Sequence, residues 1–249
     1  MPTKPAVMEC KNCNNIFKGK YCNNCGQPAD THRLDFHFLW HDIQHGLFHF
    51  DAGLLYSGKQ LFLRPGHTIR EFIAGKRVKH FKPISMVIIL AVTYGLLYHN
   101  FDIDNTKPFI NAQNQSVNYA FYNEWIAMHF SWITLASIPF YTLGTFICFR
   151  KQGYNFIEYF ILNTFKASQR LIVHLATFPL LVIYSGTIHI KTLLAVFYVI
   201  DLLLGFLTNV QFFNQLPKGK TILLSIGSHL IFLCGIFVVL IAGMLLLGY

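Results

Sequence analysis

Apolar positions fall into two regimes along this 249-residue chain. Up to residue 82 they are dispersed among polar ones, with helical spacing in places. From Pro83 onward they merge into long runs: Ile84–Tyr98, Trp125–Phe149, Leu171–Ser185, Leu193–Phe213 and Thr221–Tyr249. A membrane helix needs about 17–25 mostly apolar residues. Each run therefore reads as a span, the first one short and the third continuous with an amphipathic helix before it. The pattern predicts an all-α polytopic membrane protein in three parts: a cysteine-bearing unit at 1–29, cytoplasmic amphipathic helices with a basic segment at 30–82, and a five-span helical bundle at 83–249.

Composition agrees. Hydrophobic residues make up 53% of the chain and charged ones 12%, against about 25% charged in a soluble domain. That excludes an ordinary soluble enzyme, whose surface needs more charge, and a disordered chain, which would be polar. Lys and Arg number twelve in 1–82, one in 99–124, four in 150–170, one at Lys191, two at Lys218 and Lys220, and none thereafter. This alternation between high and low is the positive-inside pattern. With no apolar signal segment in the first thirty residues, it predicts a multi-pass membrane protein with a cytoplasmic N-terminus and an external C-terminus. The formal charge of +9 then concerns topology and anionic lipid; nucleic acid is not an expected partner.

Cys10-Lys-Asn-Cys13 and Cys22-Asn-Asn-Cys25 form two C-x2-C knuckles. This spacing brings two sulfurs to one ion at about 2.3 Å, and two knuckles make a four-thiolate site. One structural zinc is expected there, with Gly26 free to adopt the left-handed turn. Paired disulfides fit a cytoplasmic location poorly; a redox dithiol pair is the other alternative. A closed four-cysteine site is not catalytic, but Lys4, Lys11, Lys18 and Lys20 make the unit basic enough to meet a partner. Cys148 and Cys234 read as buried apolar residues.

His37, His41, His45 and His49 recur every fourth position. On a helix this drifts about 40° per step, leaving Phe36, Leu39, Trp40, Ile43, Leu47 and Phe50 opposite and Asp35 as N-cap. A plain polar face of an amphipathic helix is favoured over a second metal site completed by Asp42 or Asp51. Its protonation near pH 6.5 is also suited to anionic lipid.

Arg64-Pro-Gly-His-Thr-Ile-Arg70 leads into a segment with Lys76, Arg77, Lys79 and Lys82. Pro65 suits a helix start, Ile69, Phe72 and Ile73 its apolar side, and Gly75 its end. The six basic residues beside one acid read as a topology signal that binds anionic headgroups. A specific phosphate pocket with Arg64, Arg70 and Arg77 as forks is the sharper alternative.

Together, the two knuckles with Gly26-Gln27, Thr31-His32-Arg33, the histidine helix and Arg64-Pro-Gly-His-Thr-Ile-Arg-Glu-Phe…Gly-Lys-Arg…Phe-Lys-Pro83 resemble a bacterial membrane family, the domain of unknown function 3667. The resemblance covers residues 10–98, with an echo in Asn155-Phe-Ile-Glu158-Tyr. It implies an inner-membrane protein with an N-terminal zinc ribbon and carries no established activity.

Inside the runs, Asp201 and His229 lie at depths that allow pairing, and His174 can join them. Membrane carboxylates normally face a partner or water. A polar pair that fixes helix packing is favoured over a proton relay or an acid–base pair. Phe156–Arg170 reads as an interfacial helix. Three functions follow in order of preference. The first is a non-enzymatic scaffold or regulator whose zinc ribbon docks a cytoplasmic protein. The second is an enzyme or carrier for anionic lipid or polyprenyl phosphate, and the third is a proton- or ion-coupled transporter centred on Asp201. A second copy of the chain is an open partner.

Overall fold

The computed structural model describes residues 7–36, 38–39, 53–104 and 119–247. The histidines His37, His41, His45 and His49, with Asp42 and Asp51, lie outside them. At the start of that segment Asp35 Oδ1 accepts the Phe38 N–H at 2.8 Å, the expected cap.

The protein is mostly helical. A small ribbon comes first, with β1 (Met8–Glu9) and β2 (Ile16–Phe17) paired antiparallel, Met8 opposite Phe17. Two short helices follow, α1 (Gly53–Leu63) and α2 (Pro65–Ile73). The long elements are α3 (Pro83–Asn100), α4 (Tyr119–Phe149), α5 (Phe156–Ala176), α6 (Phe178–Tyr184), α7 (His189–Phe212) and α8 (Lys218–Leu247). Among the described residues, α3, α4, α7 and α8 are long and apolar enough to cross a membrane. The α5–α6 pair adds a fifth crossing if taken as one span, bent by 53°. Pro179 in the first turn of α6 explains the bend. Its ring excludes the carbonyl four residues back, and it has no N–H to continue the ladder.

The third run was expected at Leu171–Ser185, with Phe156–Arg170 as an interfacial helix before it. The structure instead places α5 at the centre, packed against α1, α2, α3, α4 and α7. Its polar residues Asn163, Thr164, Ser168 and Gln169 are buried. Polar positions on an amphipathic helix usually face water. Here they face other spans and satisfy one another: Asn163 donates to Thr145 Oγ1 at 3.2 Å, and Thr208 donates to Gln169 Oε1 at 3.1 Å. Asn209 donates to Ser225 Oγ at 2.9 Å. Such contacts hold membrane helices together at about 0.6 kcal/mol each.

Two apolar clusters fill the bundle. One gathers Leu61, Ile69, Phe72, Phe81, Met86, Phe149, Phe165 and Phe212 at the end where α3 begins. The other holds Val87, Ala91, Tyr94, Phe178 and Phe197 further along α3. The α1–α2 hairpin closes the first end. Its tip, Pro65–Gly66, is buried, and a Cβ on Gly66 would stand 2.2 Å from the Phe212 nitrogen. Only glycine lets the start of α2 come this close to the end of α7.

Candidate functional sites: a cysteine cluster and a charged cavity

The sulfurs of Cys10, Cys13, Cys22 and Cys25 all lie within 4.8 Å of one another. Cys10 and Cys25 are 3.5 Å apart, Cys13 and Cys22 3.6 Å. A tetrahedron with bonds of about 2.3 Å has edges of about 3.8 Å, so the cluster is of a size to hold one metal ion. The two knuckles are built alike. Asn14 N–H bonds Cys10 O and Gly26 N–H bonds Cys22 O, both at 2.9 Å. Asn14 and Gly26 then take the left-handed conformation, at φ 58° and 75°. Burial pushes the Cys10 thiol up to about 11. At Cys22 burial is the largest single influence and acts upward, but the backbone N–H groups of Cys25 and Asn24 together with hydrogen bonds from the Cys13 and Cys10 thiols outweigh it and hold the thiol at about 6. A thiolate is therefore ready at neutral pH, the form a metal needs.

The ribbon is fastened to the helices. Buried Gln27 donates to Thr31 Oγ1 and to the Gly75 carbonyl, each at 2.8 Å, and accepts the Arg77 N–H at 3.4 Å. Lys11 Nζ donates to the Thr31 carbonyl at 2.5 Å. Arg33 then grips Glu158 with both arms, Nε to Oε1 at 2.7 Å and Nη2 to Oε2 at 2.8 Å. Glu158 is nearly buried and also belongs to the capping box of α5, in which Asn155 accepts the Glu158 N–H. Asn155 Nδ2 reaches the Leu34 carbonyl at 2.9 Å. The Thr31–Arg33 and Asn155–Glu158 blocks, far apart in sequence, are thus two halves of one clasp.

A cavity of about 110 Å³ lies among α4, α5, α7 and α8. Lys166 and Arg170 from α5 line it, with Asp201 from α7, His229 from α8 and Tyr141 from α4. Lys166 Nζ reaches Asn163 Oδ1 at 3.4 Å and Asn209 Oδ1 at 3.3 Å, at the long end of hydrogen-bonding range. Among the described residues Arg170 has no hydrogen-bond partner. The carboxylate of Asp201 meets His174 Nε2 at 3.1 Å through Oδ2, while Oδ1 is buried and unpartnered. His229 bonds the Tyr198 hydroxyl at 2.6 Å and lies 3.5 Å from that of Tyr141. The three polar residues read from the sequence thus share one region, but the close pair is His174–Asp201. Beyond it, Tyr94, Phe197 and Phe178 pack around the His174 ring and each other.

The basic segment is engaged elsewhere. Arg70 Nη1 donates to the Gln211 and Phe212 carbonyls, capping the end of α7, and its Nη2 meets His67 Nδ1 at 2.6 Å. Arg64 bonds Gln60 at 2.7 Å and Glu71 at 3.3 Å. Arg77 lies over the rings of Phe38 and Phe72, at 4.8 and 5.5 Å. Lys76 stands 3.8 Å from Glu71. Lys79 is exposed and Lys82 half-buried. Residues 51–95 match the model of a protein family of unknown function, DUF3667. No curated protein and no solved structure matches the chain.

The matched segment is a structural unit: the α1–α2 hairpin, the basic connecting segment after it and most of α3. It carries the Arg64–Pro83 motif, one of those on which the resemblance over residues 10–98 rested; the cysteine knuckles and the Thr31–Arg33 block, like the cavity, lie outside the matched residues. It touches both the ribbon and α5. Gly75 and Arg77 receive Gln27 of the ribbon, and the Leu61 carbonyl accepts Gln169 of α5 at 2.7 Å. Lys166, Arg170 and the Arg33–Glu158 clasp were not singled out as site residues in the sequence. The signal available was two cations one turn apart on a helix whose only acidic residue, Glu158, lies in its first turn.

Proposed function

We propose that this is a five-span protein of the bacterial inner membrane, N-terminus in the cytoplasm, whose zinc-loaded ribbon is a rigid cytoplasmic platform for a protein partner. Four unbroken apolar helices and one bent pair support the span count, and the alternating basic loops support the orientation. The donor set supports zinc: four thiols, closed, with no open coordination position, hence structural rather than catalytic. In the zinc-bound state Cys10, Cys13, Cys22 and Cys25 hold the ion, and the folding energy it supplies fixes Gln27 and Lys11 on their seats.

The observation that carries the reading is that the ribbon is bolted to the bundle and not tethered to it. Gln27 and Arg33 hold one side, while Val7, Ile16 and Tyr21 remain exposed beside exposed Lys18 and Lys20. Exposed apolar side chains and exposed lysines on one small ribbon suit a protein surface of apolar and acidic character.

The test is photo-crosslinking in living cells, with the reactive side chain placed at Tyr21. The expected outcome is one discrete adduct with a cytoplasmic protein, lost in an Ile16→Asp background that still reaches the membrane at normal levels. Adducts with lipid only, or a pattern shared with a probe at exposed Lys59, would overturn the platform.

A further inference from the structure

We propose that the cavity between α4, α5, α7 and α8 binds a phosphate monoester through Lys166 and Arg170. The charge balance is the first argument. Two cations line the cavity one helical turn apart, where like charges repel. Its carboxylate, Asp201, is shared with His174. With His174 neutral, Asp201 offsets one cation and leaves one positive charge. With His174 protonated, it leaves two. A charge half-buried inside a membrane bundle calls for a partner, and among the described residues the half-buried Arg170 has no hydrogen-bond partner. An anion completes the site.

Depth is the second argument. Lys166 stands beside Gly205 and Asn209, seven and three residues from the end of α7 at Phe212. At 1.5 Å per residue that is about 5–10 Å below the helix end. Phe165 packs in one cluster with Met86, in the first turn of α3. Lys166 therefore lies near the ribbon-side end of the bundle and Arg170 one turn, about 6 Å, deeper, so a lipid phosphate or a phosphate from solution would enter from the ribbon side.

Chemistry narrows the class. The guanidinium fork and the ammonium together match a tetrahedral oxyanion. The cavity of about 110 Å³ takes such a group with some water, since one water needs about 10–15 Å³. Asp201 Oδ1 is buried with no donor. A monoester can exist singly protonated, its second pKa lying near 6, and in that form its P–OH can donate to this oxygen. A diester cannot.

The experiment uses the full-length, metal-loaded protein in phosphatidylcholine nanodiscs and follows its unfolding temperature. One arm titrates inorganic phosphate; the others add phosphatidic acid or phosphatidylglycerol to the discs. Stabilisation by phosphate alone assigns a soluble ligand. Stabilisation by phosphatidic acid but not phosphatidylglycerol assigns a lipid monoester. Arg170→Gln should weaken either effect at least about tenfold, the loss of one charge-assisted hydrogen bond, and Arg170→Lys should recover part of it. Lys166→Met should act like Arg170→Gln. If that variant fails to fold, Arg170→Gln decides, because its guanidinium holds no other element. Arg150→Gln with Lys151→Gln, both exposed, should leave binding unchanged. The proposal fails if no arm stabilises, if phosphatidylglycerol equals phosphatidic acid, or if the surface variant weakens binding as much as Arg170→Gln. None of these outcomes depends on whether the ribbon has a protein partner.

Discussion

Arg33 shows how much one side chain can join. Its guanidinium makes a bidentate pair with Glu158 and a third bond to the Gly153 carbonyl at 3.0 Å. Glu158 in turn accepts the Asn155 N–H at 2.8 Å, so the start of α5 and the chain leaving the ribbon share one carboxylate. Arg33 is largely exposed, which screens the pair and leaves the buried carboxylate as the sensitive partner. Arg33→Ala should cost about 2 kcal/mol, seen as a lower unfolding temperature in detergent and faster protease cleavage around residue 30. Arg33→Lys should recover only part of this, since an ammonium cannot form the fork. Unchanged stability in Arg33→Ala would show the clasp to be ornamental.

At the scale of elements, the ribbon and α5 were legible to different degrees. The C-x2-C spacing dictates the knuckles, and the residue four places after the first cysteine of each takes the left-handed turn. Glycine was expected there in the second knuckle, and asparagine, the next most tolerant residue, fills the same place in the first. The metal prediction belongs at this scale. Elemental analysis of the purified chain should give one zinc, and Cys22→Ser should remove it. Cys22 is held at about 6 and Cys10 is raised to about 11, so metal must displace protons from the site and its hold weakens as the pH falls. Zinc should stay bound at pH 7.5 and be lost progressively on acidification. Loss of metal should free Gln27 from Gly75 and expose the ribbon to protease while the spans stay intact. In α5, by contrast, sequence and structure part. Its amphipathic spacing is real, but the pattern cannot say whether the polar face meets water or other polar helices.

At the scale of the whole molecule, direction alternates from span to span. Tyr94 of α3 contacts Phe130 of α4, His174 of α5 and Phe178 of α6. His229 of α8 meets Tyr141 and Tyr198 on its neighbours. The charged cavity lies toward the end that carries the ribbon, and on its far side Asp201 meets His174, whose ring contacts those of Tyr94 and Phe197. Aromatic packing of this kind suits a binding site better than a conduction path. The orientation can be checked by labelling single introduced cysteines in a background lacking the native ones outside the ribbon. A probe at position 191 should react with a membrane-impermeant reagent in intact cells, and probes at 151 and 218 only after permeabilisation. Reaction at all three from one side would refute the five-span arrangement.

Sequence alone determined what depends on local spacing and on counting. It yielded the knuckles, the start and stop of α2 at Pro65 and Gly75, the apolar runs and the alternation of basic loops. Each follows from a rule that acts within one element or one loop: a ligand turn, a fixed φ, a length against bilayer thickness, a charge that resists translocation. Tertiary structure decided what depends on which element lies beside which. It paired Asp201 with His174, brought Thr31–Arg33 to Asn155–Glu158, and seated Gly66 against α7. It also turned the polar face of α5 inward, so that Lys166 and Arg170 enclose a cavity. The physical reason is that a buried polar group must be satisfied, but the identity of its partner is fixed only when the helices pack.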